Sequence, residues 1–356
     1  MWVVFISSML CLAVIPVLER LAPTVGLVDR PTERKQHVGN VPMVGGIAIF
    51  ISLVAAFFML GIYVVPPVLI ALSLIIVVLG TIDDVQTLSA RFRLLAQILV
   101  SLALVLFGDI RIESIGGIFG SEAVRFDGAT SVVFTVMCAV GVINAINMID
   151  GLDALSGSIL FLSFTALALL AVGAGLHDQA SFLFCVSGCL FAFLAYNNRI
   201  FRPKARIFLG DAGSMMLGLM LVWYFVDLSQ GGAMALSAVS AGWIFGLPLI
   251  ETVSVMVGRI VEKRSPFDAG RDHMHHRLRR AGFSVNGTVF IMVSMHTLLV
   301  LIGVFFASTS HADGLLFWGF VVLTVSHFAV SRYLLEPYGA KVVVALNKRG
   351  TLASGV

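Results

Sequence analysis

Charge is what this sequence has least of. Of its 356 residues 12% are charged and 59% hydrophobic, and its mean hydropathy is +1.01, a balance that excludes an ordinary soluble domain. Polar stretches long enough to build one are missing as well. Apolar runs of the length needed to cross the hydrocarbon, roughly 20 residues, recur along the chain with only short breaks. Cysteine is sparse: Cys11, Cys138, Cys185 and Cys189 all lie inside apolar runs, where a thiol packs as a small apolar residue. They define neither a disulfide framework nor a redox compartment. His-Glu-x-x-His is absent, and a zinc site is not expected. No internal repeat of the kind that marks many secondary transporters is visible, and no nucleic-acid partner is expected. The first apolar run, residues 2–18, has no basic residue before it and no small-residue cleavage site after it. It is therefore expected to persist as a helix rather than leave as a signal peptide.

What is present is a succession of helical runs. Eleven are expected, over residues 2–18, 43–62, 65–82, 94–107, 129–148, 155–174, 179–196, 212–228, 236–258, 285–307 and 314–332, the fourth being short for a span. The expected class is thus an all-α polytopic membrane protein: one transmembrane domain over 1–332 and a cytoplasmic tail over 333–356. Placing the N-terminus outside puts 21 of the 23 Lys and Arg residues in cytoplasmic segments, as the positive-inside rule requires. Only Arg111 and Arg125 stay outside, in "GDIRIESIGGIFGSEAVRFDG". Alternating apolar positions and Gly pairs there predict a small external hairpin near 108–128. An odd number of spans then brings the C-terminus to the cytoplasm.

On this layout five acids collect at the cytoplasmic boundary. Asp83 and Asp84 end the third helix, Asp150 and Asp153 end the fifth, and Asp211 opens the eighth. Placement at the rim avoids most of the roughly 2.5–3.5 kcal/mol that an acid costs at mid-bilayer. Each acid alone has a plain reading as a helix cap or an ion-pair partner. The set is harder to explain that way, because adjacent carboxylates repel unless a cation or a hydrogen-bond network accommodates them, and Asp150 and Asp153 share a helical face. Hard oxygen ligands at a shallow, water-accessible site suit Mg²⁺, which usually takes one or two carboxylates and completes its shell with substrate phosphates.

Basic residues gather on the same side, in "VDRPTERKQHVGNVPMVGG", "NNRIFRPKARIF" and "GRIVEKRSPFDAGRDHMHHRLRRAGF". Some serve the positive-inside rule and contact anionic lipid headgroups. Acids for a metal and bases for anions on one face point to a phosphorylated ligand. His273, His275 and His276, beside Arg271 and Asp272, are expected to donate to phosphate or sugar oxygens or to polarise a leaving group. Glu251, about two turns inside the ninth run, is either a functional carboxylate or one paired with a neighbouring helix. His296 and His327 are expected to be packed and hydrogen-bonded.

The ordered segments "DRPTERKQHVGNVPMVGG", "IDDVQ", "NAINMIDGLDAL", "FLGDAGS" and "RDHMHHRLRRAGF" resemble the polyprenyl-phosphate N-acetylhexosamine-1-phosphate transferases, and the likeness runs over nearly the whole chain. It is strongest to the bacterial members that join UDP-N-acetylglucosamine to undecaprenyl phosphate. The resemblance implies a Mg²⁺-dependent enzyme, with Mn²⁺ able to substitute, in the bacterial inner membrane with its active site facing the cytoplasm. In that reaction the lipid phosphate attacks the β-phosphorus of a UDP-sugar and UMP leaves, as the first membrane step of a cell-envelope polysaccharide. By the same match Asp211 would bind the metal, with Asp83 and Asp84 close to it and to the lipid phosphate. Phe208 would stack on uracil; Asn147, Asp150 and Asp153 would line the nucleoside pocket; the His motif would contact sugar or diphosphate. Arg34, His37 and Arg271 are further substrate-binding candidates. Relatives carry an Asp or Lys after the Asp pair where this chain has Gln86 and Thr87.

Other readings make different demands. Another UDP-hexosamine, or UDP-MurNAc-pentapeptide, would use the same chemistry; Met274 interrupts the three consecutive His expected for the latter. A secondary transporter would place its polar residues near mid-bilayer. Oligomeric state, a homodimer included, is left open by the sequence.

Overall fold

The computed structural model describes residues 2–30, 39–61, 66–199, 204–231, 234–265, 270, 272–309 and 312–335. Among them thirteen α-helices follow one another: α1 (Trp2–Leu21), α2 (Gly45–Leu60), α3 (Pro67–Gln86), α4 (Ala90–Gly108), α5 (Gly128–Ile149), α6 (Leu155–Gly173), α7 (His177–Asn197), α8 (Gly210–Asp227), α9 (Ala238–Ile244), α10 (Gly246–Val261), α11 (Met274–Arg280), α12 (Val285–Phe305) and α13 (Asp313–Ala329). Each of the eleven expected runs forms helix. Eight of the helices are long and apolar enough to cross a membrane, and the bent pair α9–α10 would make a ninth. This is a polytopic membrane protein. The shorter α2 has 16 residues, and α8 carries an Asp near each end.

The ninth run departs from the expected single helix: α9 and α10 meet at 83°. Pro248 sits third in α10. It has no N–H to give to the Ile244 carbonyl, and its ring would clash there. That carbonyl is not wasted, because Ser163 Oγ of α6 donates to it at 3.0 Å, the kind of rescue that permits a broken helix inside a membrane. The fourth run is longer than expected, since α4 begins at Ala90 behind an N-cap in which Ser89 Oγ accepts from Phe92 N. Arg91 and Arg93 had hidden that first turn in the hydropathy pattern. Three small elements were not expected: a 3-10 turn at Ala22–Val25, helix α11, and a two-stranded antiparallel pair, β1 (Val28–Asp29) with β2 (Val41–Pro42).

Residues Ala212 to Val226 of α8 are all buried, which makes α8 the axis around which α2, α3 and α5 pack. At the opposite end of α5 from Asp150 the chain 113–126 forms the predicted hairpin. Ile115 N donates to Val124 O at 3.1 Å and Phe126 N to Glu113 O at 2.8 Å. Gln230, just after α8, fastens it by accepting from Glu113 N and Ser114 N, both at 3.0 Å. Helices of 22 and 18 residues, about 33 and 27 Å at 1.5 Å per residue, thus separate the hairpin from the acids. Cys11, Cys185 and Cys189 are buried, and no cysteine is in a disulfide among the described residues. Residues 336–356, most of the expected tail, lie outside the described residues.

Candidate active site

Glycine lets the start of α8 sink between two other helices. A Cβ on Gly46 of α2 would collide with the Gly213 backbone, and one on Gly80 of α3 with that of Ala212. The loop before α8 is tied to α2 as well: Gly45 N donates to Phe208 O and Gly46 N to Leu209 O, each at 2.9 Å. Gly210 has φ +74° and faces Asp84 so closely that a Cβ would meet Oδ2 at 2.6 Å. Only glycine satisfies both conditions.

The helix start thus exposed to α3 carries unpaired N–H groups and the positive end of the dipole. Asp84 fills it. Its Oδ1 accepts from Asp211 N at 3.0 Å and its Oδ2 from Ala212 N at 3.3 Å. A residue expected at the metal is therefore engaged as a cap supplied by another helix, and no side chain at the N-cap residue Leu209 does this work.

Asp83 is also held. Its Oδ1 accepts from Leu88 N at 2.7 Å and its Oδ2 from Arg93 Nη1 at 2.8 Å, and its side chain is 2% exposed. Thr87, at φ +53°, turns the chain so that Leu88 N can reach it; this is the place taken by the departure from the family pattern. Asp211 is the open member of the three, with its side chain 29% exposed. Asn147 Nδ2 of α5 donates to Asp211 Oδ1 at 2.5 Å and to Ser214 Oγ at 3.1 Å. Arg93 Nη1 lies 3.5 Å from Asp211 Oδ2, so one guanidinium nitrogen joins the carboxylates of Asp83 and Asp211. Among the described residues Arg93 is the one cation within ion-pair distance of the three acids, which leaves their charge undercompensated.

Hard oxygen donors with spare negative charge, one of them open, match what Mg²⁺ takes from a protein when substrate phosphates supply the rest. No three His, Cys, Asp or Glu side chains form a ready-made cage among the described residues, which a shell shared with substrate does not require. One turn deeper, Asn144 Nδ2 donates to Gln97 Oε1 at 2.6 Å, so polar contact continues between α4 and α5 below the acids.

The end of α5 joins this cluster to the His motif. Asp150 caps that end and accepts from Ser156 Oγ. Asp153 Oδ2 accepts from Arg199 Nε at 2.5 Å and from Ala205 N at 3.1 Å, so it fastens the segment after α7. Between them Gly151 is the floor under His275: a Cβ there would lie 2.6 Å from Nε2. The three imidazoles cluster: His273 and His275 lie nearly parallel with centroids 5.8 Å apart, and His276 is tilted by 46° against His275 at 4.1 Å.

Burial pushes His275 down to about 3, with neighbouring His276 and His273 acting in the same direction; its Nδ1 is buried without a partner among the described residues. A neutral imidazole is what the site holds there at pH 7. Burial alone would raise Asp272, but Arg259 at 3.1 Å and Arg264 at 2.6 Å hold it below the usual carboxylate range.

Phe208 is half-buried against the core, its N donating to Pro42 O at 2.8 Å. Arg34, His37 and Arg271 lie outside the described residues. The sequence reading missed Arg93, Ser214, Ser156 and Arg199. Arg93 had a signal: an arginine one turn inside an apolar helix, on a face with Gln97, is costly unless an acid meets it.

Comparison with known proteins matches residues 66–229 to the model of glycosyl transferase family 4, a stretch that holds all five acids and stops short of the His motif. The undecaprenyl-phosphate alpha-N-acetylglucosaminyl 1-phosphate transferase of Escherichia coli strain K12 is 32% identical over 293 residues, 82% of this chain and 79% of that one. The protein of the same name from Yersinia pestis is 31% identical over 85% of this chain and 82% of its own. That from Haemophilus influenzae is 30% identical over 90% of each.

Proposed function

The chain belongs to glycosyl transferase family 4, and from that premise we propose that it moves N-acetylglucosamine 1-phosphate from UDP-N-acetylglucosamine to undecaprenyl phosphate, releasing UMP. The observation that carries the reading is the meeting of Asp83, Asp84, Asp211, Asn147 and Arg93 at the start of α8, with Asp150, Gly151 and His275 at the end of the same α5. It serves as the first membrane step of a cell-envelope polysaccharide. The same proposal places eleven crossings in the bacterial inner membrane, the N-terminus outside, and the C-terminus and active site on the cytoplasmic side.

An oxygen of the lipid phosphate forms a bond to the β-phosphorus while the bond from that phosphorus to the bridging oxygen breaks, and UMP leaves with that oxygen. A phosphate monoester is largely dianionic at pH 7, its second pKa being about 6. The nucleophile therefore needs no base, and the charges balance without a proton transfer. Repulsion between two phosphorylated substrates is the larger obstacle. Asp211, with Asp83 behind it, would hold Mg²⁺ or Mn²⁺, which when bound neutralises the diphosphate and polarises its phosphorus.

The chain's own residues position the rest. Asp84 fixes the N–H groups of Asp211 and Ala212, and Asn147 orients the Asp211 carboxylate. Arg93, 34% exposed, is placed to meet phosphate oxygens. Phe208 stacks on uracil, while Asn147, Asp150 and Asp153 border the nucleoside. The neutral His275 and its neighbours His273 and His276 donate to sugar or diphosphate oxygens, and Arg34, His37 and Arg271 supply further anion contacts.

Membranes containing the protein, given labelled UDP-N-acetylglucosamine, Mg²⁺ and undecaprenyl phosphate, should place label in the lipid phase. Label confined to the aqueous phase, with or without metal, would refute the proposal. A panel of other UDP-hexosamines in the same assay fixes the sugar.

A further inference from the structure

Helix α10 turns two buried charged side chains, Glu251 and Arg259, each 3% exposed, toward the His motif. Arg259 Nε donates to Asp272 Oδ2 at 3.1 Å. Eight residues earlier on the same helix, Glu251 Oε2 accepts from Met274 N, the first N–H of α11, at 2.8 Å and lies 3.6 Å from His273 Nδ1. The second oxygen, Oε1, is 2.6 Å from Nε2 of His327 on α13. A carboxylate only accepts, so the imidazole N–H is the donor. Both oxygens of one buried carboxylate are thus divided between the His motif and α13, a helix that supplies none of the residues of the site described above.

The composition of α13 makes this contact unusual. Of its residues only Asp313, Leu316 and His327 are buried, so a helix that mostly faces lipid spends one of three inward positions on an imidazole aimed at Glu251. Packing alone would be served as well by two apolar side chains in place of the pair, since a buried polar pair is often no more stabilising than apolar side chains of the same volume. At the other end of the chain of contacts, His275 rests on Gly151. A shift at Met274 would therefore change how the imidazoles sit over the Asp150–Asp153 loop.

We propose that Glu251 and His327 are a positioning pair for sugar-phosphate transfer. His327 orients the Glu251 carboxylate, and Glu251 fixes the backbone at Met274 and so seats His273, His275 and His276 against the Asp150–Asp153 loop. Neither residue touches substrate, and the inference rests on the transferase reading given above.

The test uses the full chain in detergent, with KM for UDP-N-acetylglucosamine and kcat measured for wild type, His327→Leu, His327→Gln and His327→Asn. Wild-type transfer is the control: if it fails, the transferase reading itself has failed. With wild type active, His327→Leu is expected to raise KM and to lower kcat/KM by about 10- to 100-fold, the scale of a misplacement near 1 Å. Glutamine, whose amide reaches as far as Nε2, should stay within about threefold of wild type, whereas asparagine, one methylene shorter, should behave as leucine does. A purely structural role would lower the amount of active enzyme and leave KM unchanged. The proposal is overturned by an unchanged KM in His327→Leu and His327→Asn, by equal kinetics of the glutamine and asparagine variants, or by loss of the fold in all three.

Discussion

At the residue scale, the three acids at the start of α8 have unequal work to do. Asp84 gives both oxygens to backbone N–H groups and Asp83 gives both to Leu88 and Arg93. Asp211 keeps exposed surface. Replacing Asp211 by Asn should lower kcat by about 10²–10³-fold, the scale of losing one principal group that stabilises transition-state charge. His275→Ala should cost less, and steady-state kinetics on the two purified variants decide the order. His275 supplies a second prediction. Its imidazole titrates at about 3 when folded and at about 6.5 when unfolded, so between these values the unfolded chain binds more protons. Its contribution to stability is full above about pH 6.5 and declines as pH falls toward 3. Thermal scans of wild type between about pH 7 and about pH 5 should therefore show a steeper loss of Tm on acidification than scans of His275→Gln. Parallel curves would contradict the buried, neutral imidazole.

At the element scale, α8 depends on a cap that does not belong to its own sequence neighbourhood. Removing it with Asp84→Ala should cost about 1–2 kcal/mol of stability, as loss of a strong N-cap does, and lower activity by displacing Asp211. Differential scanning of Tm alongside kcat checks both, and an unchanged Tm would show the cap to be dispensable. Helices were legible because long apolar runs between charged loops leave little choice of structure. The break at Phe245 was legible only in part: Pro248 signalled it, yet whether a proline kinks or ends a helix depends on what receives the freed carbonyl, and Ser163 lies 81 residues away. The same reason hid Arg199, whose acidic partner Asp153 is 46 residues away. Asp211 and the His motif were visible because several acids and imidazoles collect at one boundary among basic loops, more than caps and ion pairs account for. Asp84 was visible as part of the site but not as a cap, since capping across helices leaves no local pattern. Helix α11 is held by Glu251 through Met274 N, a tertiary contact with no mark in the local sequence.

At the scale of the whole molecule, α5 and α8 run from the acids at one end to the hairpin fastened by Gln230 at the other. Two of the chain's 23 Lys and Arg residues fall in the hairpin segment, and the loops at the acidic end hold most of the rest. A membrane-spanning scaffold with one chemically dense end suits a reaction between a soluble nucleotide sugar and a lipid phosphate. In that reaction the β-phosphate travels with the sugar. UDP-N-acetylglucosamine labelled with radiocarbon in the sugar and radiophosphorus at the β-position, incubated with purified protein, undecaprenyl phosphate and Mg²⁺, measures this directly. The predicted result is equal molar amounts of both labels in the lipid, with matching release of UMP, and neither label in the lipid with Asp211→Asn. Sugar label without phosphorus, or undiminished transfer by the Asp211 variant, would contradict it.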